Sequence, residues 1–435
     1  MSKKPTLFYV GLEQLESRYT LQLTEWNLCE FRSMGIPHHI VEGTDLSEDK
    51  TISVGQVLDG YGRPYYAMSQ IQRLIVLIKT GQLKKTDVIF FEDMFHPGFE
   101  SLPYIFNQLG WRPKIFVRCL AQTIDPDDFV HSAGMTSWMR KYESMVNSVV
   151  DAVLIASHEM AAFATAAGWT VPLIVTGLPF GKAEVRDRVG YRPSYKSKKA
   201  QEWGQRKLQV VFAARLDQEK QPMFFVDLAL MFKSRYPKVP VDFAILSGKP
   251  ISSNLKGTTN LLYQHRINGD ISIYENLSKN DYYKHLTESR VLFNCALQDW
   301  VSNTVSEADA LGCNVLYPAY RSFPEVFESD HTRLYVPWSL EDACTKLSRL
   351  LLKPHPLQGQ ISDYQDCTIE RSVNAMLYGD RFANKQQVLR PLKLDPRDTK
   401  YRHEFAALDS VSHNLPEFWS LGKVTSKQLL DSYKG

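Results

Sequence analysis

The second half of the chain opens with residues 209–231, which read QVVFAARLDQEKQPMFFVDLALM. The apolar residues Val210 to Ala213 indicate a buried strand, a charged loop follows, and an amphipathic helix is predicted over Gln221–Arg235. This order of strand, loop and helix recurs along most of the chain, which favours parallel sheets covered by helices on both faces. The strands are too many for one doubly wound sheet and the pattern restarts near residue 208, so two such domains are predicted.

Eleven strands and eight helices are predicted from these patterns. The strands are Leu7–Val10, His39–Glu42, Val88–Phe91, Lys114–Val117, Ala152–Ala156, Leu173–Thr176, Gln209–Ala213, Asp242–Leu246, Asn260–Gln264, Val291–Asn294 and Asn314–Tyr317. The helices are Glu16–Met34, Met68–Ile78, Thr136–Val149, His158–Ala167, Gln221–Arg235, Lys279–Glu288, Ser306–Leu311 and Leu340–Leu352.

The composition is that of a globular protein of two or three domains. Of 435 residues, 44% are hydrophobic and 23% are charged, which excludes a collagen-like, coiled-coil or globally disordered chain. We divide the chain into a Rossmann-like domain at 1–190, a linker at 191–207, a second Rossmann-like domain at 208–380 and an extension at 381–435. No apolar run reaches the roughly 18 residues of a membrane span, and six cysteines without CxxC spacing indicate reduced thiols and no zinc site. A cytoplasmic location is expected.

The net charge of +3 hides a basic segment. Residues 182–207 contain nine Lys or Arg against three acids, so the rest of the chain is slightly acidic. Residues 381–403 form a second basic stretch. Such a segment is either a solvated linker or a basic rim beside an anionic ligand, and the sequence leaves both interpretations open.

Two cations follow the strand at 210–213. Arg215 and Lys220 are five residues apart in a loop that ends at a helix start, where the partial positive charge of the helix adds to theirs. This pattern is typical of a diphosphate-binding loop. Strand-to-helix loops also carry Arg and Lys without binding phosphate, so the pattern is weak by itself.

A second polar element follows the strand Val291–Asn294. Asp299 lies in the loop, residues 302–306 offer helix caps, and Glu307 is expected in the first helical turn. The free N–H groups of Asn303, Thr304 and Val305 can meet a phosphate while the two carboxylates reach hydroxyls. Alternatively, Asp299 is an ordinary loop residue and Glu307 an acid that stabilises the helix dipole.

Taken together, these elements resemble the retaining glycosyltransferases of family 4. The resemblance rests on Arg215-x4-Lys220, on Asp299-x7-Glu307, and on Ala310-Leu311-Gly312-Cys313 followed by Pro318 and Phe323-Pro324-Glu325, in that order over roughly residues 205–380. It implies the GT-B architecture, in which two Rossmann-like domains face each other across a cleft. The family usually has Glu at the position of Asp299 and Gly at that of Ala214.

The resemblance also implies roles for the residues of the second domain. Arg215 and Lys220 would hold the diphosphate of a nucleotide sugar, with the N–H groups of Asn303 to Val305 on its β-phosphate. Asp299 would bind hydroxyls of the donor sugar and act in catalysis, and Glu307 would bind the ribose. Tyr274 lies in the region that cradles the base in relatives.

The first domain is expected to supply the acceptor side. Gly11 follows the first strand and could approach the donor, although no GxGxxG motif is present. Glu92, Asp93 and His96 follow the strand Val88–Phe91, at the edge where open α/β sheets bind ligands, and are candidate catalytic residues. The alternative is that these acids cap a helix.

Further polar residues follow the next two strands. Asp125 is a candidate for acceptor binding, although Asp125-Pro126-Asp127-Asp128 is also a common helix start. Ser157 is predicted to be a helix N-cap.

The predicted activity is metal-independent, retaining transfer from a nucleoside-diphosphate sugar, with a UDP-sugar favoured and no other cofactor expected. The basic segments favour a nucleic-acid acceptor, a hydroxymethylated base in DNA as in phage enzymes, with Lys196, Lys198 and Lys199 as contacts and the host cytoplasm as location. Exposed aromatics could stack on an extruded base: Tyr61, Tyr65, Tyr66 and Trp138. The alternatives are a glycan, lipid, tRNA-base or small-molecule acceptor, or a non-catalytic nucleic-acid-binding scaffold.

Overall fold

A computed structural model describes residues 5–14, 19–46, 60–120, 123–193, 203–297, 299–327 and 330–382. Lys196, Lys198, Lys199 and all but the first two residues of the predicted extension lie outside these residues. The strands are β1 (Leu7–Val10), β2 (His38–Ile40), β3 (Val88–Phe91), β4 (Lys114–Arg118), β5 (Ala152–Ile155), β6 (Leu173–Val175), β7 (Lys207–Phe212), β8 (Asp242–Leu246), β9 (Ser272–Tyr274), β10 (Ser289–Phe293), β11 (Asn314–Pro318) and β12 (Leu334–Tyr335).

The described helices alternate with these strands. They are α1 (Tyr19–Ser33), α2 (Gly62–Lys79), α3 (Ser101–Leu109), α4 (Phe129–Ser132), α5 (Thr136–Val149), α6 (His158–Ala166), α7 (Lys182–Asp187), α8 (Pro222–Arg235), α9 (Thr258–Ile267), α10 (Lys279–Glu288), α11 (Asn303–Ala310), α12 (Phe323–Val326), α13 (Leu340–Leu352), α14 (Gln360–Asp366) and α15 (Thr368–Phe382). A short 3-10 helix covers Gln218–Lys220. Within these residues, no helix is long and apolar enough to cross a membrane.

The strands form two parallel six-stranded sheets, which confirms the predicted fold class of two doubly wound domains. The N-terminal lobe has the order β2-β1-β3-β4-β5-β6, and the C-terminal lobe has β12-β11-β10-β7-β8-β9. In each sheet the order reverses beside the first strand, between β1 and β3 and between β7 and β10. Ligands of open α/β sheets bind at such switch points, beyond the carboxyl ends of the strands.

The strands are apolar because helices cover both faces of each sheet. Every residue of β1, β3 and β5 is buried, as are the last four residues of β7. One buried apolar cluster includes Phe90 of the N-terminal lobe together with Leu292 and Val305 of the C-terminal lobe. The two lobes therefore share part of their hydrophobic core.

Two local predictions in the C-terminal lobe were wrong, the strand at 260–264 and the start of helix α11. Residues 260–264, predicted as a strand, lie within helix α9, and the third strand of that lobe is β9 instead. Periodicity alone cannot distinguish a short run such as Leu261, Leu262 and Tyr263 in a strand from one in a helix. Helix α11 begins at Asn303, three residues earlier than predicted, so Glu307 lies in its second turn.

The basic segment 182–207 packs against the C-terminal lobe through its described residues. It includes helix α7, in which Lys182 is buried and donates through Nζ to the carbonyl of Gly359 at 2.8 Å. The guanidinium of Arg206 donates to the carbonyls of Leu286 and Leu311 at 3.1 and 2.8 Å. These side chains fix the segment to the C-terminal lobe; the domain boundaries themselves stay a prediction.

The chain returns to the N-terminal lobe near its described end. Asp309 of α11 accepts hydrogen bonds from the backbone N–H groups of Gly359 and Ser362 at 2.9 and 3.0 Å. Further on, Arg371 of α15 donates through Nε to the carbonyl of Thr176 at 3.0 Å. Helix α15 therefore belongs to the surface of the N-terminal lobe, although it follows the C-terminal lobe in sequence.

Candidate functional site

The loops at the carboxyl ends of the two sheets meet each other. Arg321, which follows β11, donates through Nη2 to Asp125 at 3.1 Å and to Asp127 at 2.6 Å, and both acids follow β4 of the other lobe. The guanidinium also lies over the rings of Phe163 and Trp300, 5.1 and 5.9 Å from their centroids. The ligand-binding edges of both sheets therefore face the same cleft.

The two predicted phosphate-binding cations lie together at the switch point of the C-terminal lobe. Lys220 is buried at the end of the 3-10 helix, and its Nζ lies 3.0 Å from Oδ1 of Asp299. Arg215 is half-exposed and donates through Nη2 to Oε1 of Glu219 at 2.7 Å. The predicted clamp and the predicted sugar-binding acid are thus in direct contact.

The first turn of α11 is open toward the same edge. Ser302 occupies the N-cap position, but its side chain makes no capping bond and is instead hydrogen-bonded to Nδ2 of Asn294 at 3.1 Å. Within the described part of the chain, no side chain therefore satisfies the first N–H groups of this helix. Such groups bind anions readily, which fits the expectation for Asn303, Thr304 and Val305.

Glu307 is buried and bound by three side chains of α10. Its carboxylate lies 2.8 Å from Nζ of Lys279 and accepts from the hydroxyls of Tyr282 and Tyr283 at 2.8 and 3.0 Å. The Tyr283 hydroxyl in turn accepts from Nε2 of Gln22, a residue of the N-terminal lobe. Burial and the neighbouring Glu307 raise the pKa of both tyrosines.

Sequence reasoning missed these partners of Glu307. A signal was available, because Lys279, Tyr282 and Tyr283 have the i, i+3, i+4 spacing that places side chains on one face of a helix. The ribose contact predicted for Glu307 remains a prediction. A ribose hydroxyl would compete there with three partners that are already in place.

Gly11 follows β1 beside the switch point of its sheet, whereas Tyr274 ends β9, the edge strand of the other sheet. The ring of Tyr274, at the end of β9, lies 4.5 Å from that of His285, measured between centroids. The carbonyl of Gly11 accepts from Nε2 of Gln70 at 3.0 Å, and a Cβ at this glycine would lie 3.0 Å from the ring of Tyr9. The backbone after β1 is therefore packed closely on its own lobe.

Glu92 and Asp93 form buried ion pairs within the N-terminal lobe. Glu92 is fully buried and lies 2.6 Å from Nε of Arg118, and burial raises its pKa. Asp93 lies 2.6 Å from Nη2 of Arg63, and burial raises its pKa to about 6. Neither acid caps a helix, and each has an arginine partner that accounts for its charge.

His96 is also buried. Its Nε2 lies 3.0 Å from Oε1 of Gln70, which accepts, so Nε2 carries the proton. Burial and the positive charge of Arg63 lower the pKa of His96 to about 3, and the ring is neutral at physiological pH. The structure brings Glu92, Asp93 and His96 to one sheet edge, but the contacts described for them lie within their own lobe.

The predicted N-cap at Ser157 is confirmed, and a second cap comes from the other lobe. Oγ of Ser157 accepts from the N–H of Met160 at 3.1 Å. The carboxylate of Glu325 accepts from the backbone N–H groups of His158 and Glu159 at 2.6 and 3.1 Å. The Phe323-Pro324-Glu325 motif thus connects the two lobes.

One acid in the cleft was overlooked as a candidate site residue. Asp128 is only 4% exposed and belongs to the N-terminal lobe, yet Arg215 and Lys220 of the other lobe lie close enough to lower its pKa. Burial and the negative charge of Asp125 oppose them, and the resulting pKa is about 7. The signal in the sequence was Asp125-Pro126-Asp127-Asp128, which we interpreted as a helix start.

The remaining expectations concern metals and aromatic residues. No group of three His, Cys, Asp or Glu suited to a metal ion occurs among the residues that the structure describes. Tyr61, Tyr65 and Trp138 are exposed, whereas Tyr66 is buried.

Several solved structures have a fold similar to that of this chain. The chain is similar to an α,α-trehalose-phosphate synthase (UDP-forming) from Burkholderia vietnamiensis, with 14% identity, a TM-score of 0.54, and 88% of this chain and 98% of that chain covered. It is also similar to a sucrose-phosphate synthase from Thermosynechococcus elongatus, with 12% identity, a TM-score of 0.52, and 93% and 100% covered. An E. coli trehalose-6-phosphate protein bound with UDP-2-fluoro glucose matches at 13% identity and a TM-score of 0.56, with 88% and 99% covered.

At these identities the likeness shows the fold alone, which is the GT-B arrangement of two Rossmann-like domains. No protein-family model and no curated protein sequence matches the chain.

Proposed function

We propose that this protein is a retaining glycosyltransferase that binds a UDP-sugar on its C-terminal lobe and transfers the sugar to a hydroxyl group. The observation that carries this proposal is the contact of the buried Lys220 with Asp299, beside the open first turn of α11 at a sheet switch point. Arg215 lies on the same loop as Lys220. Two cations and free helix N–H groups are what a diphosphate requires.

The same groups account for the chemistry. The bond between the sugar C1 and the diphosphate oxygen breaks, and the diphosphate leaves with the electron pair. Lys220, Arg215 and the α11 N–H groups stabilise the charge that develops on it. The acceptor oxygen bonds to C1 on the face that the diphosphate leaves, and its proton passes to a diphosphate oxygen. Retention of configuration rests on the resemblance of the sequence motifs to family 4.

Asp299 is assigned to the donor sugar in this proposal. Its carboxylate contacts Lys220 through Oδ1, so the cation that binds the diphosphate also fixes the acid. Support for a UDP-sugar comes from the solved structures of the same fold, one described as UDP-forming and one as bound with UDP-2-fluoro glucose. No metal is part of the proposal, because the cations come from the protein itself.

The charges of the described residues favour a small hydroxylated acceptor. Asp125 and Asp127 on the acceptor side of the cleft share the single positive charge of Arg321, so the net charge of this group is negative and disfavours a polyanion. Arg206 and Lys182, from the segment predicted to follow DNA, are occupied by backbone carbonyls.

A hydroxymethylated base in DNA is the second candidate acceptor. The observation in its favour is the basic composition of residues 182–207, including Lys196, Lys198 and Lys199. Binding of such DNA with a steep salt dependence would favour it, since contacts to phosphates release counterions. Binding that does not change with salt would exclude it.

The test is to incubate the protein with UDP-glucose, UDP-galactose, UDP-N-acetylglucosamine and GDP-mannose, and to measure release of the nucleoside diphosphate. Acceptors are monosaccharides, sugar phosphates, and normal or hydroxymethylated DNA, with mass-spectrometric detection of products. We expect release with at least one donor, and its loss in Lys220→Ala. Lys233→Ala is the matched control, because the Lys233 ammonium donates to the carbonyls of Gly269 and Asp270, just after α9. A protein that binds nucleic acid but releases no nucleoside diphosphate would be a non-catalytic scaffold.

A further inference from the structure

Asp128 is held by its own turn in the N-terminal lobe. Its Oδ1 accepts from the backbone N–H of Val130 at 3.0 Å, at the start of α4. The turn is fixed against the other lobe by Arg321, which contacts Asp125 and Asp127. Among the described residues, the N–H of Val130 is the hydrogen-bond donor to the Asp128 carboxylate. It occupies Oδ1 and leaves Oδ2 for another partner.

The charged groups around Asp128 come from both lobes. Arg321 contacts the turn of Asp128, and the hydroxyl of the next residue, Ser322, donates to the carbonyl of Asp299 at 2.7 Å, whose carboxylate contacts Lys220. The positive charges of Arg215 and Lys220 lower the pKa of Asp128, and the negative charge of Asp125 raises it. The thiol of Cys119, at the end of β4, also lies within its electrostatic reach. Burial is the largest influence, and it raises the pKa of Asp128 to about 7, although the two cations act in the opposite direction.

Resting on the proposed function, we propose that Asp128 completes the donor site from the N-terminal lobe and contacts the diphosphate as a neutral carboxylic acid, taking up one proton when the donor binds. The reason is that Asp128, Arg215 and Lys220 lie close enough together for their charges to interact. A diphosphate bound to Arg215 and Lys220 neutralises the cations that favour the ionised carboxylate, and it adds negative charge beside it. The acid then accepts one proton from the buffer and donates its O–H to a diphosphate or sugar oxygen.

The alternative is that Asp128 only caps α4. A cap that stays ionised accepts from the N–H of Val130 in both the free and the bound protein, so it exchanges no proton with the buffer. The two roles therefore differ in a quantity that can be measured without knowing the acceptor.

The experiment is titration calorimetry of the full-length protein with UDP-glucose near pH 7, in buffers of different ionisation enthalpy. UDP-glucose keeps a constant diphosphate charge in this range, so proton uptake reports the protein. We expect uptake of roughly 0.5 proton at pH 7 and binding about fivefold weaker at pH 8 than at pH 7. Asp128→Asn keeps a helix cap and an N–H donor but cannot titrate, and it should abolish both effects.

Two further variants secure the interpretation. Asp128→Ser also keeps a cap without a carboxyl and should likewise take up no proton. Asp127→Asn, in the same turn but paired with Arg321, should retain the uptake. Binding that depends on Lys220 but takes up no proton, or uptake that persists in Asp128→Asn, would overturn the role of Asp128 and leave the proposed function standing. Failure of UDP-glucose to bind in a Lys220-dependent manner would overturn the proposed function, and the role of Asp128 with it.

Discussion

The carboxylate of Glu325, in the C-terminal lobe, caps helix α6 of the N-terminal lobe: its Oε1 lies 2.6 Å from the backbone nitrogen of His158. The same oxygen lies 2.8 Å from Nδ1 of the His158 ring. An acid at a helix N-terminus satisfies unpaired N–H groups and stabilises the helix dipole. This residue therefore contributes to helix stability and to the contact between the lobes at once.

We expect Glu325→Ala to lower the free energy of unfolding by about 1–2 kcal/mol, the usual cost of losing a cap. His158→Ala removes only the half-exposed ring contact and should cost less than about 1 kcal/mol. Thermal and denaturant unfolding measure both. Equal losses in the two variants would show that the ring, and not the cap, carries the effect.

The second prediction separates the roles of Lys220 and Asp299. Lys220→Ala should weaken binding of UDP about 10- to 100-fold, because a hydrogen bond to a charged group contributes about 1.5–3 kcal/mol. Asp299→Asn should leave UDP affinity within about threefold but reduce turnover of the UDP-sugar, since its proposed contacts are to the sugar. Calorimetry with UDP and an assay of UDP release give the two quantities. Unchanged turnover in Asp299→Asn would contradict the site assignment.

The third prediction concerns the Glu92–Arg118 pair. Glu92→Ala leaves a buried arginine without its partner and should destabilise the protein by about 3–5 kcal/mol. The control is Asp151→Ala, which removes a more exposed pair with Arg112 and should cost about 1 kcal/mol or less. Full stability of Glu92→Ala combined with lost activity would instead favour the catalytic role first predicted for Glu92.

The fourth prediction is a pH dependence of stability caused by His96. Its folded pKa of about 3 lies below the unfolded value near 6.5, so the unfolded chain binds the proton more tightly. The contribution of the neutral His96 ring to the free energy of unfolding is fully present above pH 6.5, and it is lost as the pH falls toward 3. Between pH 7 and pH 5 the loss is about 2 kcal/mol.

His96→Gln should remove that part of the acid sensitivity. The measurement is the difference in unfolding free energy between wild type and variant at both pH values. Because the difference is taken at each pH, the carboxylates cancel. A difference that does not change with pH would mean that the pKa of His96 is the same in the folded and the unfolded protein.

The fifth prediction tests the cross-lobe contact of Arg321. Arg321→Ala should lower the free energy of unfolding by about 3 kcal/mol, because the buried Asp125 loses its ion-pair partner and keeps only the backbone N–H of Asp127 among the described contacts. It should also increase the radius of gyration in X-ray scattering. The backbone of Arg321 has a φ of +52°, a region that favours glycine, so Arg321→Gly separates backbone strain from the lost ion pair. An unchanged radius in both variants would show that this pair does not hold the lobes together.

Patterns that involve only neighbouring residues were predictable from the sequence. The strands β1, β3 and β8 have the predicted bounds because each is a short apolar run between polar loops. Lys220 and Asp299 were both predicted to bind the donor, and they lie together because the loops after β7 and β10 meet at a switch point.

Partners distant in sequence were not predictable. Glu92 looked like a candidate catalytic acid because its arginine partner is 26 residues away, on the neighbouring strand. The basic segment looked like a surface for a polyanion because the carbonyls that occupy Arg206 belong to residues about 80 and 105 positions further along. The roles of Glu92 and of the basic segment therefore depend on burial and on contacts between residues distant in sequence. A local sequence pattern contains neither.

The chain crosses between the lobes twice, and these two crossings restrict how the lobes can move relative to each other. The chain enters the C-terminal lobe between Thr176 and Lys207 and returns between Ser362 and Arg371. A body tethered at one point can turn about three axes, whereas a body tethered at two points turns freely only about the line that joins them. Two connections therefore restrict rotation of one lobe against the other more than one connection would, and a single cut in either crossing would leave the lobes linked through the other.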